Sequence, residues 1–413
     1  MGFTLTLAVH IGSRWMTMRP SLRSFSVVLS LLLAVAVLAP PSSHAQPVTE
    51  DCDNCIDDDN DGLVDRADTT DCAPLANGAG AGIGDVTRGK AIFKCHKAIE
   101  KAGLAFSNKR LKRAYACVLP AFACLQTKPG DAACLTKANG KCDKQAPGAI
   151  AEQAKLVALI QKACNDARLS DADRDAENGL GFMAEEAACE DEGTPTNETI
   201  GGLASCIASQ HVCHINRTLS AVVPRARQLL VAMGRNPDLE VPCSDAGDNG
   251  VGTDQGLGML GKAAVKCQKG IAKASLKLGG TIAKTLQKCT NFGVACLQQK
   301  NADPACLTTA RAKCQKLSVK VQDQQKGTLF KILGKASKSC AALSSTQLKA
   351  PEGLDFGIQS TRCSDLGAIQ VGTQGTIVCA GVQQFCESKQ MLIREIPRLD
   401  EFLALLNVQI IGL

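Results

Sequence analysis

The sequence predicts a mainly α-helical protein made of two tandem disulfide-rich helical domains that follow a small acidic loop. Three observations support this fold class: 22 cysteines that recur in a fixed order, helical periodicity with few β-branched residues, and one short run of aspartates. At about 100 to 200 residues per domain, 413 residues correspond to two or three domains, each large enough to fold without bridges. Cysteine in such excess indicates an oxidising compartment.

The N-terminus has the order of a secretory signal peptide. An apolar run at 25–38 follows three arginines and precedes a Pro-Pro pair and the small residues that end at Ala45. The run is too short for a typical membrane span, and no later stretch is longer. We therefore predict a signal peptide at 1–45, no transmembrane segment after its cleavage, and a protein that is secreted, periplasmic or at the cell surface.

Residues 46–73 form a Cys-flanked acidic segment with ten acidic side chains and one arginine. Its sequence from Cys52 to Cys72 is CDNCIDDDNDGLVDRADTTDC. Calcium prefers hard oxygen ligands at alternate positions of a twelve-residue loop, and Gly62 permits the tight turn between them. The predicted Ca²⁺ ligands are Asp57, Asp59, Asp61, Leu63 through its carbonyl, Asp65 and Asp68.

This segment resembles the calcium loops of thrombospondin type 3 and dockerin modules and of related repeats in secreted bacterial proteins. The resemblance covers about 23 residues and departs from an EF-hand at Asp68, where that motif has a longer bidentate Glu. It implies a structural Ca²⁺ with the weak affinity of extracellular modules. The alternative is an acidic linker that binds no ion.

An internal duplication organises the rest of the chain into a Cys-rich helical repeat 1 (84–243) and repeat 2 (256–413). Nine cysteines of repeat 1 recur collinearly in repeat 2, and ACLQTKPGDAACLTKANGKC matches ACLQQKNADPACLTTARAKC. The matched cysteines are 95, 117, 124, 134, 142, 164, 189, 206 and 213 with 267, 289, 296, 306, 314, 340, 363, 379 and 386. Each copy is long enough to be a domain.

Within the repeats the pattern is helical. Lysines from Lys262 to Lys277 recur at intervals of three and four, which places them on one face of a helix. We predict helix breaks at Gly279-Gly280, at 128–131 and at 301–304. Several cysteines are spaced seven apart, so we expect each such pair to clamp its helix to a neighbour at two levels.

The distribution of cysteines predicts bridges between modules. The acidic head has three cysteines, each repeat has nine, and Cys243 lies between the repeats. Because every count is odd, full oxidation requires bridges that cross module boundaries. The most economical arrangement ties the head to repeat 1 and Cys243 to repeat 2.

The sequence carries no recognisable catalytic motif. The three histidines after the predicted cleavage site, His96, His211 and His214, are replaced in repeat 2 by Gln268, Gln384 and Glu387. We therefore expect solvated surface histidines, although a metal site at His211, Cys213 and His214 is an alternative. Whether the chain is an enzyme stays open: an extracellular or periplasmic hydrolase or redox enzyme with a dispersed site is the second interpretation.

Charge indicates a class of partner. Residues 262–338 contain sixteen Lys or Arg against two Asp, whereas 166–198 is strongly acidic. A face of single sign attracts polymers of opposite sign, and the scarcity of aromatic residues argues against ligands that bind by stacking. We predict a non-catalytic, calcium-binding structural or surface-interaction protein that binds anionic polysaccharide or another acidic polymer through repeat 2, with no specific nucleic acid. Attraction between the basic and acidic regions themselves is the alternative.

Overall fold

The computed structural model describes residues 52, 55, 72, 76–165, 167–191, 199–244, 253, 255–323, 326–366, 368 and 372–408. These residues form α-helices and two short 3₁₀ helices, Gly258–Leu260 and Phe356–Gln359, with no strand among them. The prediction of a mainly α protein is therefore confirmed. The predicted signal peptide lies outside the described residues.

Fifteen α-helices follow one another in the described part of the chain. In repeat 1 they are α1 Val86–Thr127, α2 Ala132–Asp143, α3 Ala146–Cys164, α4 Asp171–Asp175, α5 Met183–Asp191, α6 Ile200–Val222, α7 Ala226–Ala232 and α8 Pro237–Glu240. In repeat 2 they are α9 Gly261–Lys300, α10 Pro304–Gln322, α11 Thr328–Ser339, α12 Ser345–Lys349, α13 Ser360–Asp365, α14 Gly372–Glu395 and α15 Leu399–Leu405.

The two longest helices, α1 and α9, pack against each other in antiparallel order. A Cβ at Gly89 would overlap the carbonyl oxygen of Gln298, and a Cβ at Gly261 would overlap that of Gln126. The first turn of each helix thus lies against the last turn of the other, and only glycine permits this approach. The contacts at the two ends match, as expected if the repeats are related by an approximate two-fold axis.

Buried polar side chains repeat this two-fold relation. Gln126 Nε2 donates to the Glu352 carbonyl at 2.7 Å, and its counterpart Gln298 Nε2 donates to the Asn178 carbonyl at the same distance. Arg225 donates to the Gly353 carbonyl, and Arg398 donates to the Gly179 carbonyl. Side chains of each repeat therefore donate hydrogen bonds to the backbone carbonyls of a loop in the other repeat.

The hydrophobic core also spans both repeats. One buried cluster includes Ile99 and Phe122 of repeat 1 together with Ile271 and Phe356 of repeat 2. Thr49–Leu413 accordingly forms a single compact unit. The repeats are recognisable in sequence, but their packing surfaces are shared.

Eleven disulfides pair all 22 cysteines. Four bridges have the same connectivity in each repeat. Clamping at two levels is confirmed for Cys117/Cys124, which join α1 to α2, and for Cys289/Cys296, which join α9 to α10. It is wrong for Cys206/Cys213 and Cys379/Cys386, because the two sulfurs of each pair bond to different segments. The matched bridges are 95–164 with 267–340, 117–142 with 289–314, 124–134 with 296–306, and 189–206 with 363–379.

The ninth cysteine of each repeat bonds outside the nine. Cys213 pairs with Cys243, and Cys386 pairs with Cys55 of the head. Bridges across module boundaries are thus confirmed, but the predicted assignment is wrong in both cases. The economical scheme assumed that a segment bonds to the repeat that follows it, whereas the interlocked packing brings the head to the distant repeat 2.

One predicted helix break is also wrong. Helix α9 continues through Gly279-Gly280, while the breaks at 128–131 and 301–304 occur between helices as expected. A Cβ at Gly279 would lie 2.9 Å from Gln384 Nε2, and one at Gly280 would lie 3.3 Å from Asn108 Oδ1. These glycines serve close helix packing and do not end the helix.

Candidate functional site

The residues of the basic region predicted from sequence all lie at the protein surface. All sixteen Lys and Arg residues between 262 and 338 are exposed, and none forms an ion pair with another described residue. They lie on α9, α10 and α11 and in the adjoining segments. Their charge is therefore directed to solvent and not neutralised within the fold.

Six of these lysines follow the line along which α9 and α11 pack, and we call them the basic seam. They are Lys266, Lys273, Lys277, Lys331, Lys335 and Lys338. The two helices approach closely here because Gly270 has no side chain: a Cβ would overlap Ser339. Since Lys266 and Lys277 are eleven positions apart on one helix, the seam is about 16 Å long on that side.

Several acidic side chains of repeat 1 are paired inside the fold. Arg88 forms an ion pair with Asp173, and Arg174 contacts Glu186 at 3.2 Å. Arg394 of repeat 2, which lies outside the basic region, reaches the fully buried Glu185 at 3.1 Å. The lysines of the basic region therefore take no part in these ion pairs.

The prediction of surface histidines is wrong. All three are buried, and each contacts a glutamate. His96 lies 3.2 Å from Glu100, and His211 Nε2 lies 2.7 Å from Glu395 Oε1.

The third histidine, His214, lies 3.0 Å from Glu387, its own counterpart in repeat 2. Comparing the repeats position by position suggested that the histidines had been lost from repeat 2. In the folded protein Glu387, which replaces this histidine in repeat 2, is the partner of His214.

Burial determines the protonation of the central pair. Loss of hydration, with a smaller contribution from Arg394, lowers the pKa of His211 to about 4. Burial, reinforced by the nearby Glu100, raises the pKa of Glu395 well above its usual value. The imidazole is therefore neutral at neutral pH, and the raised pKa of the carboxyl favours its protonated form, in which Glu395 donates the hydrogen bond to His211.

This pair adjoins a small, mainly apolar cavity between the repeats. The cavity has a volume of about 40 Å³ and is lined by Gln287, Gln384, Ser388 and Glu395 together with apolar side chains. Such a volume holds two or three water molecules but no organic substrate. The buried histidines are therefore part of the interface between repeats.

A second group of potential ligands is already engaged. Glu185, Cys189 and Cys206 place one ligand atom each within 4.8 Å of one another. Cys189 and Cys206 form a disulfide, so neither sulfur is a thiolate that could bind a metal. This group is therefore a buried disulfide beside the ion pair of Glu185 and Arg394.

The predicted calcium ligands Asp57, Asp59, Asp61, Leu63, Asp65 and Asp68 lie outside the described residues. The cysteines that flank them are described: Cys52 pairs with Cys72 across the segment, and Cys55 is joined to α14 through Cys386. All six residues thus belong to one disulfide-closed loop.

Comparisons of this chain with protein-family models, curated proteins and solved structures gave no match. Among the described helices, none combines the length and the apolar character needed to cross a bilayer. The eleven bridges place the protein in an oxidising compartment.

Proposed function

We propose that this protein is a non-catalytic extracellular scaffold that binds an anionic polymer, such as an acidic polysaccharide, through the basic seam and the adjoining cationic surface of repeat 2. The observation that supports this proposal is the exposure of sixteen cationic side chains on and between three helices. Placing so many like charges together destabilises the fold by mutual repulsion, and a polyanion removes that repulsion.

The scaffold suits a polymer better than a small anion. The seam is a line of separate ammonium groups on rigid helices, and α9 is bridged to α11 by Cys267–Cys340 and to α10 by two further disulfides. Polymer charges that bind along such a line release condensed counterions, which favours binding at low salt.

Salt-dependent retention on immobilised heparin tests this proposal. We expect elution above about 0.5 M salt, whereas a surface of ordinary charge elutes near about 0.1 M. The triple variant Lys273→Gln/Lys277→Gln/Lys335→Gln should elute at distinctly lower salt. The matched control, Lys137→Gln/Lys141→Gln/Lys144→Gln on and beside α2, has the same net charge and should elute close to the wild type. Equal shifts in the two variants would reject a site on repeat 2.

We also propose that Ca²⁺ binds to the loop closed by Cys52–Cys72 and stabilises the head. Eight acidic side chains in a short closed loop repel one another unless a cation is bound. Calorimetry should detect binding with a dissociation constant of about 0.1 to 1 mM. The variant Asp57→Ala/Asp61→Ala should lose it, and Asp245→Ala/Asp248→Ala should retain it. An unchanged heat of binding in the first variant would contradict the assignment.

A further inference from the structure

Repeat 1 has a groove at the place where repeat 2 has the basic seam. The groove lies between α1 and α3, has a volume of about 550 Å³, and is lined by thirteen residues. This volume falls within the range of small-molecule sites, about 300 to 1,000 Å³. It is also more than ten times the volume of the cavity between the repeats.

The floor of the groove is apolar. Helix α1 contributes Ala98, Ala102 and Phe106, and α3 contributes Leu156 and Leu159. Leu159 is 41% exposed although it faces this surface, and it is among the few large apolar side chains of the described chain that are so open to solvent. A ligand that covered this floor would gain the free energy of apolar burial.

The rim of the groove is cationic. Lys101 and Lys109 on α1 face Lys155 and Lys162 on α3, and all four are exposed without an ion pair to a described residue. The one acid in the lining, Glu152, is held by Arg113 at 2.9 Å. The rim therefore attracts an anion.

The two ends of the groove differ. Helices α1 and α3 are antiparallel, since Cys95 is bridged to Cys164 and Arg113 contacts Glu152. Glu152 thus marks one end of the groove, Lys162 lies toward the other, and Lys101 lies near the middle of the α1 side. An anionic head group fits between Lys101 and Lys162, because no acidic side chain among the described residues lines that part of the groove.

In repeat 2 the corresponding apolar residues are covered, although most of the cationic rim is retained. Lys101 and Lys162 correspond to Lys273 and Lys338, but Leu159 corresponds to Lys335. Gly270, which stands in place of Ala98, lets α11 close directly onto α9. Among the described residues, the open groove is therefore a feature of repeat 1.

We propose that the groove between α1 and α3 binds one long-chain alkyl carboxylate, a free fatty acid anion, with its carboxylate between Lys101 and Lys162 and its chain over Phe106, Leu156 and Leu159. The groove is long enough for such a ligand. Lys94 and Lys109, at the two ends of its α1 side, are fifteen positions apart, about 22 Å, and one acyl chain needs only about 15 Å, half of a bilayer core.

Calorimetric titration of the purified protein with sodium laurate, below its micelle concentration, tests the proposal. We expect one laurate per chain, about tenfold weaker binding of decanoate because two fewer methylenes are buried, and no binding of dodecyltrimethylammonium, which has the same tail and a positive head. Equal affinity for laurate and dodecyltrimethylammonium would overturn the proposal. So would binding of anionic vesicles without binding of free laurate, because the groove would then recognise a membrane surface.

Variants separate the head and tail contributions. Leu159→Gln removes apolar floor, and Lys101→Gln/Lys162→Gln removes the charges at the head end. Each should weaken laurate binding by about tenfold. The control Lys331→Gln/Lys338→Gln makes the same charge change at the corresponding surface of repeat 2 and should leave the affinity unchanged. All of these side chains are exposed, so unchanged circular dichroism is expected; laurate affinity that does not respond to the first two variants would place the ligand elsewhere.

Discussion

The buried pair of His211 and Glu395 shows how single residues of this fold depend on burial. Both pKa values are shifted toward the neutral form for the same reason, since transfer from water disfavours either charged form. The groups around Glu395 are His211 on α6, Gln287 on α9, and His96 and Glu100 on α1. No single element therefore determines the protonation of this carboxyl.

The two pKa shifts change the unfolding free energy in opposite directions as the pH rises. His211 has a lowered pKa, so its contribution is present above about pH 6.5 and is lost as the pH falls toward 4. Glu395 has a raised pKa, so its contribution is present below about pH 4.5 and is lost as the pH rises toward the folded-state value. Between about pH 4.5 and 6.5 the two slopes cancel. Above pH 6.5 only the loss of stability from Glu395 remains.

We therefore predict that Glu395→Gln flattens the alkaline loss of stability. The amide of Gln cannot ionise. Between pH 6.5 and 8 the unfolding free energy of the variant should therefore fall less than that of the wild type. Guanidinium unfolding at a series of pH values, with the disulfides intact, measures this change. Parallel curves for wild type and variant would show that Glu395 ionises normally.

Arg398 provides a second prediction at this scale. Its guanidinium is 1% exposed, donates to two carbonyls, and pairs with Glu401 at 2.7 Å. Arg398→Met leaves a buried carboxylate without its cation and should cost about 3 to 5 kcal/mol. The double variant Arg398→Met/Glu401→Gln should recover part of that loss, as a double-mutant cycle will show. Additive losses would contradict this coupling.

The elements of the fold follow more directly from the sequence than the contacts between them. Lysine periodicity identified the face of α9, and the turns at 128–131 and 301–304 identified two helix ends. Gly279-Gly280 misled because a glycine pair favours a turn by its backbone freedom, whereas here it relieves contacts with α14 and α1. The sequence contains the pair but not the distance to a neighbouring helix.

Glycine substitutions within helices test this distinction. Gly140 on α2 and Gly334 on α11 have open space where a Cβ would lie, and the other repeat has Ala312 and Ala158 at these positions. We expect Gly140→Ala and Gly334→Ala each to raise the unfolding free energy by about 0.5 to 1 kcal/mol. Gly89→Ala, made as the contrasting variant, should lower it, because its Cβ would overlap a backbone oxygen. Chemical denaturation at fixed pH measures all three.

At the scale of the whole molecule, the duplication was readable from the sequence but the interlocking of its copies was not. Collinear cysteines give the repeat without showing that Gln126 binds the loop at 352–353 of the other copy. The candidate basic surface was predictable because it depends on composition along exposed helices. The groove was not, because it depends on the spacing between α1 and α3.

We predict that residues 76–255, expressed alone under oxidising conditions, form a homodimer. This segment contains both partners of five bridges, and its Gln126 and Arg225 would lack the carbonyls of repeat 2. A second copy supplies the corresponding carbonyls at Asn178 and Gly179.

In that dimer His214 would face the same residue of the second copy instead of Glu387. Light scattering at several protein concentrations measures the mass. A folded monomer at about 100 μM would contradict the prediction.

The bridge between Cys55 and Cys386 also has a mechanical consequence. It joins positions 331 residues apart, so tension applied to the two ends of the chain passes through one covalent bond and bypasses everything between them. At about 3.3 to 3.6 Å per extended residue, roughly 1,100 Å of polypeptide is shielded from stretching until that bond is reduced. A molecule anchored through its ends would therefore transmit force while both repeats, with the surfaces they present, stay folded.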